Sequence, residues 1–162
     1  KDEDGTPTGE FGVANAVTVA EALKMAMEAA GIDLTGVPPP RNNSAQNTWA
    51  SSYVAKAEEL HLPVVVPERN VHESATRGEV IAMILHALTI PIGVQEDRVR
   101  GMFTDIPDNH PYRREILSAF VFGIIQGDTD AEGNPADTFR PDDPINRAEI
   151  SKVIALVKEA FR

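Results

Sequence analysis

Residues 130–149 read DAEGNPADTFRPDDPINRAE, and residues 2–21 read DEDGTPTGEFGVANAVTVAE. At a constant offset of 128, Asp2, Gly5, Pro7, Phe11, Ala20 and Glu21 fall on Asp130, Gly133, Pro135, Phe139, Ala148 and Glu149, and Val17 falls on Ile145. A gapless match that keeps a glycine, a proline and a phenylalanine in register marks an internal repeat. A third copy lies between the two. Its segment Ala75-Thr76-Arg77-Gly78-Glu79 stands at the place of Ile145-Asn146-Arg147-Ala148-Glu149.

Each copy of this segment opens a helix. Thr18-x-x-Glu21, Thr76-x-x-Glu79 and Asn146-x-x-Glu149 have the capping-box form: the first side chain accepts a backbone N–H of the first turn, and the glutamate reaches back to the cap. Apolar residues follow at helical spacing, with Leu23, Met25 and Ala26, then Val80, Met83, Ile84 and Ala87, then Ile150, Val153, Ile154 and Val157. Ile81 and Leu85 make the middle helix apolar on most sides, so it is expected to be the most buried. A second helix precedes two of these, over Trp49–Leu60 and Pro111–Phe122, with Pro111 in the first turn and Gly123 at the C-terminal end. The unit is helix, loop, capped helix. The first copy lacks its leading helix, since the chain starts inside that copy's loop. The expected fold is all-α with long loops, divided as residues 1–36 (second half of copy 1), 37–100 (copy 2) and 101–162 (copy 3).

Composition narrows the function. The 162 residues are 42% hydrophobic and 25% charged, an ordinary globular balance. There is no cysteine, which removes disulfides, thiolate zinc sites and cysteine nucleophiles. Fifteen Lys and Arg against 25 Asp and Glu leave a net charge of −10, the wrong sign for a general nucleic-acid binder. The longest apolar stretch, Val80–Ile92, is too short to span a bilayer and holds His86 and Pro91. The start Lys1-Asp2-Glu3-Asp4 has no signal-peptide character and reads as a fragment of something longer. No zinc-protease or serine-hydrolase motif is present, and His61, His72, His86 and His110 have no ligand spacing. No catalytic residue, metal or cofactor is expected. The loop Asp128–Asn134 resembles the start of a calcium loop, but Phe139 stands where the bidentate glutamate belongs. It reads as a solvated acidic turn, and so does its partial copy at Asp2, Asp4 and Gly5.

The third copy carries Phe103-Thr104-Asp105-Ile106, His110-Pro111-Tyr112, Ile116, Ala119, Gly123-Ile124-Ile125-x-Gly127, Phe139-x-Pro141 and Ile145-Asn146-Arg147-Ala148-Glu149. This order and spacing resembles the S-layer homology repeat, strongly over Phe103–Phe161, moderately over Asn43–Leu88, and over the second half of a repeat at Asp2–Ala30. The resemblance implies three repeats in a pseudo-threefold arrangement, their capped helices forming a central three-helix bundle. It also implies a secreted cell-surface module without catalytic activity. Such a module anchors a protein to the wall by binding a pyruvylated polysaccharide, linked to peptidoglycan, in grooves between repeats. Other surface-layer proteins are the alternative partners, with no nucleic acid and no membrane insertion. Carried over, the groove residues are Arg77 and Arg147 with their capping neighbours Thr76, Asn146, Glu79 and Glu149, together with Asp105, Trp49 and, one position beyond the match, Tyr112. Val19 stands at the arginine position of the first copy, Asn43 at that of Asp105 and His61 at that of Gly123, so at most two competent grooves are expected.

The residues themselves admit a plainer reading. Threonine and glutamate close a capping box whatever the protein does, and Asp105 suits a local turn. Trp49 suits either a core anchor or a platform for a sugar ring. The arginines are different, because a cation in a first helical turn opposes the macrodipole. An anion bound there by free backbone N–H groups and the guanidinium would reverse that sign.

Overall fold

The computed structural model describes residues 12, 14–94, 99 and 101–161. The repeat matches at Asp2, Gly5, Pro7 and Phe11, and the acidic positions Asp2 and Asp4, lie outside the described residues. Among the described residues five α-helices can be traced end to end: α1 (Val19–Ala30), α2 (Ser51–Glu59), α3 (Arg77–Ala87), α4 (Arg113–Val121) and α5 (Arg147–Ala160). A short 3-10 turn, Asn43–Ala45, precedes α2. Among the described residues there are isolated β-bridges but no strand, so the fold is all-α.

All three capping boxes form as the sequence requires. Thr18, Thr76 and Asn146 accept from the N–H of Glu21, Glu79 and Glu149, and each glutamate accepts the cap residue's own N–H. The four helices α1 to α4 end alike. A left-handed residue closes each one: Gly31 (φ 67), His61 (φ 55), Thr89 (φ 57) and Gly123 (φ 69). In each, its N–H reaches back three residues, and the next N–H (Ile32, Leu62, Ile90, Ile124) reaches back five. These are Schellman closures, made by glycine twice and by residues that bear the Cβ penalty twice.

The leading helices are shorter at their starts than expected. α2 begins at Ser51 rather than Trp49, and α4 begins at Arg113 rather than Pro111. Neither Ala50 nor Tyr112 makes a side-chain cap bond. The Ser51 hydroxyl donates instead to the Ala45 and Thr48 carbonyls, holding Trp49 and Ala50 in a turn.

The capped helices form the middle of the molecule. α3 contacts α1, α4 and α5, and α1 also contacts α2 and α5. Nine residues of α3 are buried, including Val80, Ile81, Met83, Ile84 and Leu85, as its all-round apolar pattern requires. Each such side chain contributes about 1.5–3 kcal/mol relative to exposure. Beneath the helix starts the three copies are tied together. Val17 N–H donates to Ile145, Ile145 N–H to Ala75, and Ala75 N–H to Val17, over 3.1, 3.2 and 2.8 Å. These are the same repeat position in the three copies, so the bonds close a three-membered ring. The bridges Ala16 with Asn146, Thr18 with Ser74, and Thr76 with Pro144 follow the same cyclic order.

A polar link recurs between leading and capped helices. The Tyr53 hydroxyl donates to Glu28 Oε1 (2.6 Å) between α2 and α1, and His86 Nε2 meets Glu115 Oε1 (3.2 Å) between α3 and α4. His86 is therefore half-exposed and bonded, not packed in the core.

Candidate functional site

The residues singled out by sequence gather where one copy's helix start meets the next copy's loop. At the start of α3, Arg77 N–H donates to the Asp143 carbonyl and Gly78 N–H to Pro141, both from copy 3, while Glu79 N–H is taken by Thr76 Oγ1. At α1 the same positions repeat: Val19 N–H donates to Glu73, Ala20 N–H to Val71, and Glu21 N–H to Thr18 Oγ1. The first-turn amides of both helices are thus engaged. The expectation that free N–H groups would hold an anion beside the motif arginine is corrected at α3, because the neighbouring loop supplies carbonyls first.

The arginine has its own partners. Arg77 Nε donates to the Phe139 carbonyl (2.9 Å) and Nη1 to Glu149 Oε1 (2.8 Å), and the guanidinium lies 4.7 Å from the Phe139 ring centroid. Arg147 Nη2 donates to Glu21 Oε1 at 2.8 Å. Glu21 and Glu149 therefore each use one oxygen at their own helix start and offer the other to an arginine of another copy. Burial pushes the Glu21 carboxyl up, but the Thr18 N–H and Arg147 outweigh it, and the net shift is downward. This use of the motif arginine has no local sequence signal: the facing glutamate offsets the unfavourable helix dipole.

Copy 3 walls the Arg77 site. A Cβ added at Gly78 would lie 3.2 Å from the Pro141 carbonyl oxygen and 3.3 Å from both His110 Cε1 and Tyr112 Cδ2. Alanine occupies the equivalent positions 20 and 148, so glycine here lets His110 and Tyr112 close in. His110 Nδ1 accepts the Tyr112 N–H (3.2 Å), which makes Nε2 the protonated nitrogen facing Asp142 Oδ1 at 3.3 Å. Asp105 also belongs here. Its carboxylate accepts the N–H groups of Phe139 and Arg140, a long-range tie rather than a local turn. The structure thus brings Arg77 and Asp105 onto Phe139 and Glu149 onto Arg77, with Tyr112 close to Gly78 and Asn146 capping the adjoining helix.

The other expected residues lie elsewhere. Thr76 and Glu79 face Arg69, whose Nε and Nη2 donate to the two Glu79 oxygens at 2.8 and 3.1 Å. Trp49 is 55% exposed, which rules out its reading as a core anchor. Its ring meets Tyr53 edge-on at 6.3 Å, and Lys24 Nζ stands 6.0 and 5.9 Å from the two ring centroids. Three residues went unread in the sequence: Arg69, Lys24 and Asn42. Asn42, not Asn43, does the work of Asp105 in copy 2, donating from Nδ2 to the Arg69 carbonyl (2.8 Å). A count back from the caps could have found Arg69, since it precedes Thr76 by the same seven positions that separate Phe139 from Asn146.

The Asp128–Asn134 loop binds itself. Asp128 accepts two bonds from Arg140, which hold its carboxyl below the usual range, and Asp130 Oδ1 accepts the Glu132 and Asn134 N–H groups. Both tyrosines of the chain are pushed up to about 12, Tyr53 chiefly by its bond to Glu28 and Tyr112 chiefly by burial. Neither should ionise at pH 10, where a free phenol is half ionised. The unfolded chain would ionise there first, so stability should fall as pH rises above 10. An ultraviolet titration of the folded protein checks this, and a transition centred at 10 would contradict it.

Residues 103–150 match the S-layer homology domain. These residues form an S-layer homology domain. It is 28% identical over 113 residues to Exoglucanase XynX of Acetivibrio thermocellus, covering 68% of the chain and 9% of that protein. It is 30% identical over 109 residues to Endo-1,4-beta-xylanase A of Thermoanaerobacterium saccharolyticum, covering 66% and 8%. Amylopullulanase of Thermoanaerobacterium thermosulfurigenes matches at 28%, over 68% and 6%. The chain spans less than a tenth of these relatives' length. S-layer homology domains are non-catalytic modules that attach proteins to the cell wall, which places this chain at a cell surface. Among the described residues no helix is long and apolar enough to cross a membrane.

Proposed function

We propose that the chain is a wall-anchoring module that binds a secondary, pyruvylated and therefore anionic wall polysaccharide at the seams between its copies. The copies are residues 1–36, 37–100 and 101–162, related by a pseudo-threefold axis. The closed ring of Val17, Ala75 and Ile145 supports that arrangement. One observation carries the ligand reading. Arg77 uses two of its five N–H groups, on Phe139 and Glu149, and the other three have no protein acceptor among the described residues. Its side chain is 15% exposed, in a seam where Tyr112 closes on the adjoining Gly78, a geometry suited to a carboxylate on a sugar. Arg147 is the second cation of the set, and Tyr112 and the exposed Trp49 supply stacking faces. Asp105, Thr76, Asn146, Glu79 and Glu149 hold the seams in shape. A net charge of −10 repels an anionic polymer at long range, so affinity must come from these short contacts.

Wall sacculi test this, before and after removal of their secondary polymer. Retention should be lost on stripping, and equal sedimentation afterwards would remove the polymer from the account. Arg77→Ala and Arg147→Ala should each weaken retention about tenfold, the worth of one charge-assisted contact. The stability cost should stay near 1 kcal/mol, because each ion pair is partly exposed.

A second reading, an assembly module of the surface layer, draws on an apolar depression. About 320 Å3 in volume, it is lined by Leu88, Ile90, Val157, Lys158 and Phe161, and Phe161 is exposed. Concentration-dependent self-association without polymer binding would favour it.

A further inference from the structure

The seam between copies 1 and 2 is built with its two key side chains exchanged. At the seam between copies 2 and 3, arginine stands at the helix start (Arg77) and phenylalanine seven residues before the next cap (Phe139). At the seam between copies 1 and 2, the helix start is Val19 and the residue seven before the cap is Arg69. The backbone is unchanged by this exchange. Val19 and Ala20 donate to Glu73 and Val71 just as Arg77 and Gly78 donate to Asp143 and Pro141. Glu79 still receives a guanidinium, but from its own copy.

What differs is the state of that guanidinium. Arg69 Nε donates to Glu79 Oε1, Nη1 to Glu73 Oε2 and the Asn70 carbonyl, and Nη2 to Glu79 Oε2 and the Ser74 carbonyl. Five N–H groups meet five acceptor atoms, three of them oxygens of two carboxylates. Arg77 meets two acceptors, one of them a carboxylate oxygen. The bond to Glu79 raises the Arg69 pKa further, so the cation is held charged and paired. An anion arriving at Arg69 would have to displace a carboxylate already in place, and Glu79 and Glu73 would repel it. At Arg77 it would fill vacant donors.

We infer that Arg69 is a specificity-determining residue, which locks the seam between copies 1 and 2 as a structural joint and leaves anion binding to Arg77 and Arg147. This rests on the polysaccharide reading above. It sharpens that reading, because the missing motif arginine at Val19 has not left the seam without a cation; it has been replaced by one that cannot bind.

Arginine Nε–H resonances of the 15N-labelled chain test the point directly. On titration with wall polymer released enzymatically from sacculi, the Arg77 signal should shift and the Arg69 signal should stay in place. Movement of both together would overturn the inference. Should neither move, the polysaccharide reading falls and this inference falls with it. A gain-of-function variant gives a second test. Val19→Arg combined with Arg69→Phe rebuilds the Arg77–Phe139 geometry at the closed seam. If that variant keeps its circular dichroism spectrum, retention on sacculi should rise about tenfold over the parent, one added charge-assisted contact. Unchanged retention by the folded double variant would overturn the inference, whereas parallel loss in Arg77→Ala would show the polysaccharide reading still standing.

Discussion

Phe139→Ala should lower unfolding stability by about 3–5 kcal/mol, the range for truncating a fully buried aromatic side chain. Phe139 is 1% exposed, and three things depend on its ring. Phe103 packs on it at a centroid distance of 5.9 Å, and Phe103 in turn meets Phe120 edge-on at 5.1 Å. The Arg77 guanidinium covers its other side. Collapse around the cavity is limited by Gly127, where even a Cβ would sit 2.9 Å from Phe103 Cε1 and 3.1 Å from the Thr138 carbonyl oxygen. With the aromatic stack jammed against that backbone, the hole should persist and the cost should approach the upper end of the range. Urea denaturation measures it, and a loss under 1 kcal/mol would mean the stack is not the rigid wall described. The same substitution frees Arg77 from its ring while leaving the Phe139 carbonyl in place. Retention on sacculi below the variant's own melting range should therefore fall less than in Arg77→Ala.

The parts of this fold legible in the sequence are those governed by short-range rules. Thr18, Thr76 and Asn146, each three residues before a glutamate, mark the capped helices to the residue because cap and box are local bonds. The starts of α2 and α4 were misplaced by two residues for the converse reason: Ala50 and Tyr112 carry no cap bond, and nothing local marks the boundary. His61 looked like a departure from Gly123, yet it adopts the same left-handed conformation. Two Schellman bonds and the burial of Leu62 are enough to hold it there at a modest Cβ cost.

The candidate site was less legible because its contacts run between copies. Arg77 reaches Glu149 across 72 positions and Arg147 reaches Glu21 across 126, and no periodicity predicts such pairs. Loop length hid Arg69. The loop of copy 2 is shorter than that of copy 3, so an alignment carried forward from the leading helices puts Arg69 out of register with Phe139. Only counting back from the caps restores it. The motif arginine therefore has a structural partner in the capping glutamate of another copy. A ligand site at Arg77 must share that arginine with Glu149, which explains how one residue type can serve joint and binding site in different seams.

That sharing makes the glutamates unequal, and Glu79→Ala should be the most damaging of the three box substitutions, at roughly 3 kcal/mol. Its side chain is 9% exposed against 33% for Glu21 and 40% for Glu149. Removing it deletes the bond to Thr76 N–H and leaves the Arg69 guanidinium, 20% exposed, with three of its five donors still engaged. An arginine stripped of its main counter-ion in a mostly closed seam keeps its desolvation cost without the attraction that offset it. Glu21→Ala and Glu149→Ala lose the same cap but only one guanidinium bond each, from more exposed carboxylates, so each should cost nearer 1 kcal/mol. Parallel thermal melts of the three variants give the order directly. Equal losses would show that the cap alone matters and that the seam ion pairs contribute nothing measurable. If Glu79→Ala is the outlier, adding Arg69→Met should recover part of the loss, because the stranded charge goes with it and its aliphatic volume stays.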